Sequence, residues 1–299
     1  MGATFSIAMT LFCEARSMHE PHPLPLDISD AADREWFRSR MLAYYRNHGR
    51  ELPWRNTRDP YRILVSEFML QQTQVARVMQ KYDPFIAAFP DFGSVHRAGL
   101  RQLLALWSGL GYNRRCVNLK RCADLVCTSL NGALPESAEE LQKLPGIGRA
   151  TASAVAAFAF EKPVVFIETN IRSLYHHFFF RDGEQVTDSC VLLCVEKTLD
   201  RSSPRTWYYA LMDYGAMLKK ARIDAGARQA ARPKQPPFHG SNRQARGRVL
   251  KLLIAEPGLH EQELAGKTGM QVGKIRAVLS ELRGEGFVKN RGASWEIAD

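Results

Sequence analysis

Two glutamates stand where an acid needs a reason. Glu168, in "VVFIETNIRSL" (residues 164–174), follows Val164, Val165, Phe166 and Ile167. A charge beside such a run is costly unless it is paired, hydrogen-bonded or used. The helix expected to begin around Ile171 turns its positive end toward this carboxyl, which should lower its pKa and keep it ionised. Glu67 lies in "SEFMLQQTQV", on a helix expected from near Pro60. Spacings of three and four put it on one face with Ile63, Leu70 and Gln71. Partial desolvation there would raise its pKa, so that it holds a proton near neutrality, the state an acid catalyst needs. Both acids also have plain structural readings: Glu67 as a helix-surface partner of Arg62 or Arg77, Glu168 as a helix cap beside Asn170.

A third feature suits an anion. In "SAEELQKLPGIGRATASAVAAFAF" (residues 137–160), Ser137 and Glu140 read as a capping box opening one helix, and a second helix of small residues follows. Between them, Gly146 and Gly148 bracket Ile147, allowing backbone angles that point N–H groups outward beside the start of a helix. Such a hairpin suits a phosphate.

The elements that must position these residues are helical. From about Trp36 to Leu218, apolar residues recur at three and four spacing with Gly or Pro punctuation, and no convincing strand alternation interrupts them. "KKARIDAGARQAARPKQPPFHGSNRQARGR" then reads as a basic linker. Beyond it, three helices and two short strands about an Asn-Arg-Gly turn resemble a winged helix, with Lys274, Arg276 and Arg283 on the helix in the recognition position. DNA contact is the favoured use of that unit, packing or protein contact the alternative. The expected divisions are a disordered or misassigned tail over 1–34, a helical body over 35–220, a linker over 221–243 and the winged-helix-like unit over 244–299.

Composition agrees with a polyanionic partner. The 299 residues carry 41 Lys and Arg against 31 Asp and Glu, a net charge of +10. No stretch approaches the roughly 20 consecutive apolar residues that span a bilayer. The start has a short apolar run without a basic n-region, and Gly2 with Ser6 fits only the loose myristoylation pattern, so a cytoplasmic protein with no membrane association is expected. The six cysteines (13, 116, 122, 127, 190, 194) show no CxxC pair and read as reduced thiols, not as a metal site.

The segment 137–160 resembles the helix-hairpin-helix of the DNA repair glycosylases, the superfamily that includes endonuclease III and the A/G-specific adenine glycosylase. "LPWRNTRDPYRILVSEFMLQQTQVARV" (residues 52–78) is similar to the adenine branch nearly position for position, and "WSGLGYNRR" (107–115) matches it too. The likeness covers about residues 40–218. It implies an all-α, two-lobed body, with Glu67 protonating the purine ring and Glu168, beside Asn170, stabilising the positive charge that develops on the sugar. It implies that Gln71 and Gln72 reach into the duplex where a base is extruded, and that Tyr112, Arg114 and Arg115 lie along DNA. It further implies that the hairpin, Leu144, Gly146, Ile147, Gly148, Arg149 and Thr151, binds the backbone.

Three departures narrow this. Where many relatives place a four-cysteine iron-sulfur cluster, Lys219 and Lys220 stand and no Cys follows Cys194, so no such cofactor is expected. A lone monovalent cation on the hairpin carbonyls stays open. Ala150 occupies the position of the Schiff-base Lys of the lyase members, implying a monofunctional enzyme. The adenine glycosylases commonly append a domain that reads 8-oxoguanine, and here the winged-helix-like unit stands instead. Glu168 and Thr169 also replace Asp and Gly. The chain is expected to act as a monomer on double-stranded DNA with a mismatch or lesion, the base removed being adenine opposite guanine or 8-oxoguanine, with nucleoid association if the source is bacterial. Thymine, uracil or a deaminated purine is the alternative base, and a catalytically silent DNA-binding regulator the alternative of another class.

Overall fold

The structure, a computed structural model, describes residues 24–181, 183–221 and 240–298. The tail expected over 1–34 and the linker over 221–243 fall largely outside the described residues. Helix α1 (Ala31–His48) begins inside the span expected as tail, capped by Asp30, whose side chain accepts from Ala32 N–H at 2.6 Å.

Contacts divide the chain into two compact units, one from 1–50 and 161–232, the other from 51–160 and 233–299. The helical body is therefore split, and the winged-helix-like residues belong to the second unit instead of standing apart. Among the described residues the first unit holds α1, α9 (Thr169–Phe179), α10 (Asp188–Thr198) and α11 (Pro204–Lys220). Its core is aromatic. Phe37 of α1 packs against Tyr175, Phe178 and Phe179 of α9 and against Trp207 of α11, with ring centroids 4.9–6.0 Å apart.

The second unit contains α2 (Pro60–Leu70), α3 (Val75–Ala88), α4 (Phe92–Arg97), α5 (Leu100–Trp107), α6 (Arg114–Ser129), α7 (Ala138–Leu141) and α8 (Arg149–Phe160). Asp59 caps α2 through Tyr61 N–H at 2.9 Å, and Pro60 takes the first helical position, where its missing N–H costs nothing. Ile63, Leu64, Val65, Phe68 and Met69 of α2 are fully buried. The small residues of α8, Ala152, Ser153, Ala154, Ala156 and Ala157, let it pack closely on α2. Ser137 caps α7 as expected, but Glu140 pairs with Lys143 at 2.6 Å, and α7 is only one turn long.

The same unit ends in α12 (Asn242–Ala255), β1 (Leu259–His260), α13 (Glu261–Thr268), α14 (Val272–Gly284), β2 (Val288–Arg291) and β3 (Ser294–Ile297). The expected hairpin gains a third strand: β3 lies between β1 and β2, antiparallel to both. The β2–β3 turn sits at Gly292, with Arg291 still paired to Ser294, one residue later than the Asn-Arg-Gly reading. Among the described residues no helix is long and apolar enough to cross a membrane.

Candidate active site

In the first unit, Glu168 is the N-cap of α9. Its Oε1 accepts from the backbone N–H of Asn170 and of Ile171, both at 2.9 Å, and its Oε2 takes one donor, the Asn170 side-chain amide at 3.2 Å. Helix α9 starts two residues earlier than expected, so these N–H groups are orphan donors of its first turn. The apolar run ahead of it is neither helix nor strand. The Tyr208 hydroxyl donates to Val164 O at 2.7 Å and accepts from Phe166 N–H at 3.3 Å, while the two rings stack at 4.1 Å.

The electrostatics of Glu168 correct the sequence expectation. Burial raises its pKa above the ordinary glutamate value, outweighing the hydrogen bonds from Asn170 and Ile171 and the positive charge of Arg50, which all lower it. The helix field was expected to win; desolvation does. Arg50 is fixed by the buried Asp213, whose carboxylate accepts from Arg50 N–H at 2.8 Å and from its Nε at 2.6 Å. Gly215 on α11 brings the helices together beneath this cap: a Cβ there would meet Asn170 O at 2.3 Å. Sequence reading missed Asp213, Tyr208 and Gly215, since only the fold carries α11 to α9.

In the second unit, Glu67 is half-buried on α2 between the buried Ser66 and Phe68, and its carbonyl accepts from Gln71 N–H at 3.3 Å. Gln71 caps the end of α2, and its side-chain amide donates to Gly146 O at 3.3 Å and to Thr151 Oγ1 at 3.2 Å. Two of the sequence motifs are thus joined by one side chain. Gly146 needs its φ of +76°, and a Cβ would sit 2.6 Å from Asn118 of α6. Leu144 and Ile147 are buried, so the hairpin presents backbone at Gly146 and Gly148, not those side chains. Around Gly148 nothing lies within 4 Å of a would-be Cβ, leaving space beside the start of α8, where Arg149 and Ala150 are exposed.

Arg115 is the clearest correction. It was expected along DNA, yet it is 6% exposed. Its Nη1 donates to the carbonyls of Phe68, Met69 and Gln71 at 2.7–2.8 Å, and its Nη2 to Leu110 O, Gly111 O and Thr73 Oγ1 at 2.9–3.2 Å. Burial pushes its pKa down to about 10, which leaves it charged at neutral pH. This guanidinium ties the end of α2 to the start of α6. On either side of it, Gln72 (φ +54°) and Tyr112 (φ +48°) hold strained left-handed backbone, and both side chains are exposed. Arg114, expected beside Arg115 on the DNA, is paired with Glu285 at 2.9 Å.

The basic residues of α14 are engaged as well. Arg276 pairs with Glu261 at 3.0 Å, Lys274 donates to Asn242 Oδ1 at 3.0 Å, and Arg283 lies over the Trp295 ring. Cys116, Cys122 and Cys194 are buried, and burial raises the pKa of each thiol. Among the described residues no group of three His, Cys, Asp or Glu side chains is placed to hold a metal ion.

Residues 65–192, spanning Glu67, the hairpin and Glu168, match the family described as HhH-GPD superfamily base excision DNA repair protein. An adenine DNA glycosylase of Mycobacterium tuberculosis is 34% identical over 260 residues, covering 79% of this chain and 84% of that one. The chain belongs to the HhH-GPD superfamily. An adenine DNA glycosylase of Mus musculus is 41% identical over 153 residues, 48% of this chain and 30% of that one. The structure of a thermostable thymine-DNA glycosylase superposes with a TM-score of 0.58 at 26% identity, covering 69% of this chain and 92% of that one. A trapped endonuclease III–DNA intermediate, at 21% identity and a TM-score of 0.51, shares the fold.

Proposed function

We propose that this member of the superfamily is a monofunctional DNA glycosylase that releases adenine mispaired with guanine or 8-oxoguanine. Glu67 donates a proton to the purine ring, so the base departs with the electron pair of the N-glycosidic bond. The sugar is left with positive charge, which the Glu168 carboxylate stabilises through Oε2 while Oε1 stays committed to the helix cap. Water adds to the anomeric carbon and loses a proton, leaving an abasic site. Asn170 acts as a positioning residue through its amide bond to Oε2. Ala150 offers no amine, so strand scission by a Schiff base is not part of the reaction.

The observation that carries this reading is the setting of Glu168. Its carboxyl is half-buried and desolvation raises its pKa; among the described residues its hydrogen bonds come from N–H groups, and one of its oxygens takes a single donor. A cap needs only the first oxygen. The adenine-excising relatives from M. tuberculosis and mouse support the choice of base.

The likeness to a thymine-DNA glycosylase, together with Thr169, favours a second reading in which the excised base is a mispaired pyrimidine. Duplexes carrying each mismatch and common lesion, labelled on one strand and treated with hot alkali, separate the two. Breaks at adenine opposite 8-oxoguanine or guanine are expected; breaks only at thymine or uracil would move the assignment. No break in any duplex would leave a DNA-binding protein without this activity.

A further inference from the structure

We propose that Arg114 is a phosphate-binding residue held in check by Glu285, so that one carboxylate of the winged-helix-like part sets how tightly the chain grips duplex DNA. The inference rests on the DNA reading above, not on the identity of the excised base. Arg114 opens α6 two residues after the strained Tyr112, and 65% of its side chain is exposed. The same helix carries Asn118 beneath Gly146, so Arg114 and the hairpin are borne by one packed element. At that point a carboxylate already occupies the guanidinium: Arg114 Nη2 lies 2.9 Å from Glu285 Oε2. Carboxylate and phosphate oxygens suit the same planar donor fork, so the two compete for it.

Glu285 does not depend on Arg114 for its place. Arg246 holds it with two bonds of 2.7 Å while also reaching Glu281 at 3.2 Å. Gly286, next in the chain, takes φ +82°, and its would-be Cβ lies 3.3 Å from Arg121 of α6. At the other end, Arg101 of α5 donates to Ile254 O at 2.7 Å and to Ala255 O at 3.2 Å, fixing the end of α12. Removing the charge of Glu285 should therefore free Arg114 without undocking this part of the chain.

The test is the affinity of the full-length protein for undamaged duplex across a sodium chloride series, which involves no chemistry. Glu285→Gln should bind about 3- to 10-fold tighter near 0.1 M salt and steepen the logarithmic salt slope by about 0.9, the value for one more phosphate contact. Arg114→Gln should weaken binding, and adding Glu285→Gln to it should restore nothing. Arg246→Gln loosens the same cluster but leaves Glu285 to Arg114, so it should bind no tighter than the unmodified chain. Unchanged binding in Glu285→Gln overturns the proposal. So does a gain that persists without Arg114, or an equal gain in Arg246→Gln, which would mean displacement of the domain. Failure of the unmodified protein to bind duplex would overturn both this and the DNA reading. Base release with no effect of Glu285→Gln would overturn this inference alone, whereas the predicted gain without base release would overturn only the glycosylase assignment.

Discussion

At Glu168, two demands meet in one carboxyl. Capping α9 calls for an ionised acceptor, and so does stabilising a sugar cation, yet burial makes that ionisation harder. If the ionised form is the working one, the rate falls as pH drops through a pKa that lies above the usual glutamate value. Single-turnover rates against pH should show this acid limb, and Glu168→Gln should be slower by about 10²- to 10³-fold, without the limb. Glu168→Asp keeps a capping carboxylate and should retain much more of the rate than Glu168→Gln. The presence of this acid beside an apolar run was legible in the sequence, but the direction of its pKa shift was not. The run and the helix start are neighbours in the chain, whereas Arg50, which acts on Glu168 and is held by Asp213, and α11, which packs against Asn170, are far away in sequence.

Among elements, the fold depends on a few close approaches. Gly215→Ala would drive a methyl group into the backbone of Asn170, and a shift of either helix disturbs the cap that holds Glu168. A loss of about 1–3 kcal/mol in denaturant unfolding is expected, with a further loss of activity when the protein is folded. Arg115→Met should cost about 3 kcal/mol or more, since it strips several buried carbonyls of their donor. Thermal or denaturant melts check both. If Arg115→Met kept full stability and lost only DNA affinity, the buried role assigned to it would be wrong. Sequence reading grouped Arg114 and Arg115 because both follow "WSGLGYN", but successive residues on a helix point about 100° apart. One faces outward and the other must turn in, and only the packing of α6 against α2 decides which. The helices themselves were legible because their caps and apolar spacing are local. The third strand, β1, was not: it is two residues long and exists only through pairing with β3, more than thirty residues later.

For the whole molecule, the basic net charge, the helical body and the winged-helix-like part were all legible from composition and periodicity. Its division into units was not, since contacts join 51–160 with 233–299 across an intervening 72 residues. The chain offers no cysteine after Cys194, and we expect the purified protein to contain no stoichiometric iron or sulfide. Iron and sulfide analysis checks this directly. The central claim is that Glu67 and Glu168 cleave an N-glycosidic bond. Its most direct test is the free base released in single turnover from a duplex with adenine opposite 8-oxoguanine, measured by chromatography for the unmodified protein, Glu67→Gln and Glu168→Gln. The account predicts release of adenine by the unmodified protein, without strand scission before alkali. It predicts a loss of at least about 10²-fold in each variant while duplex affinity is kept. Adenine release undiminished in either variant would contradict it.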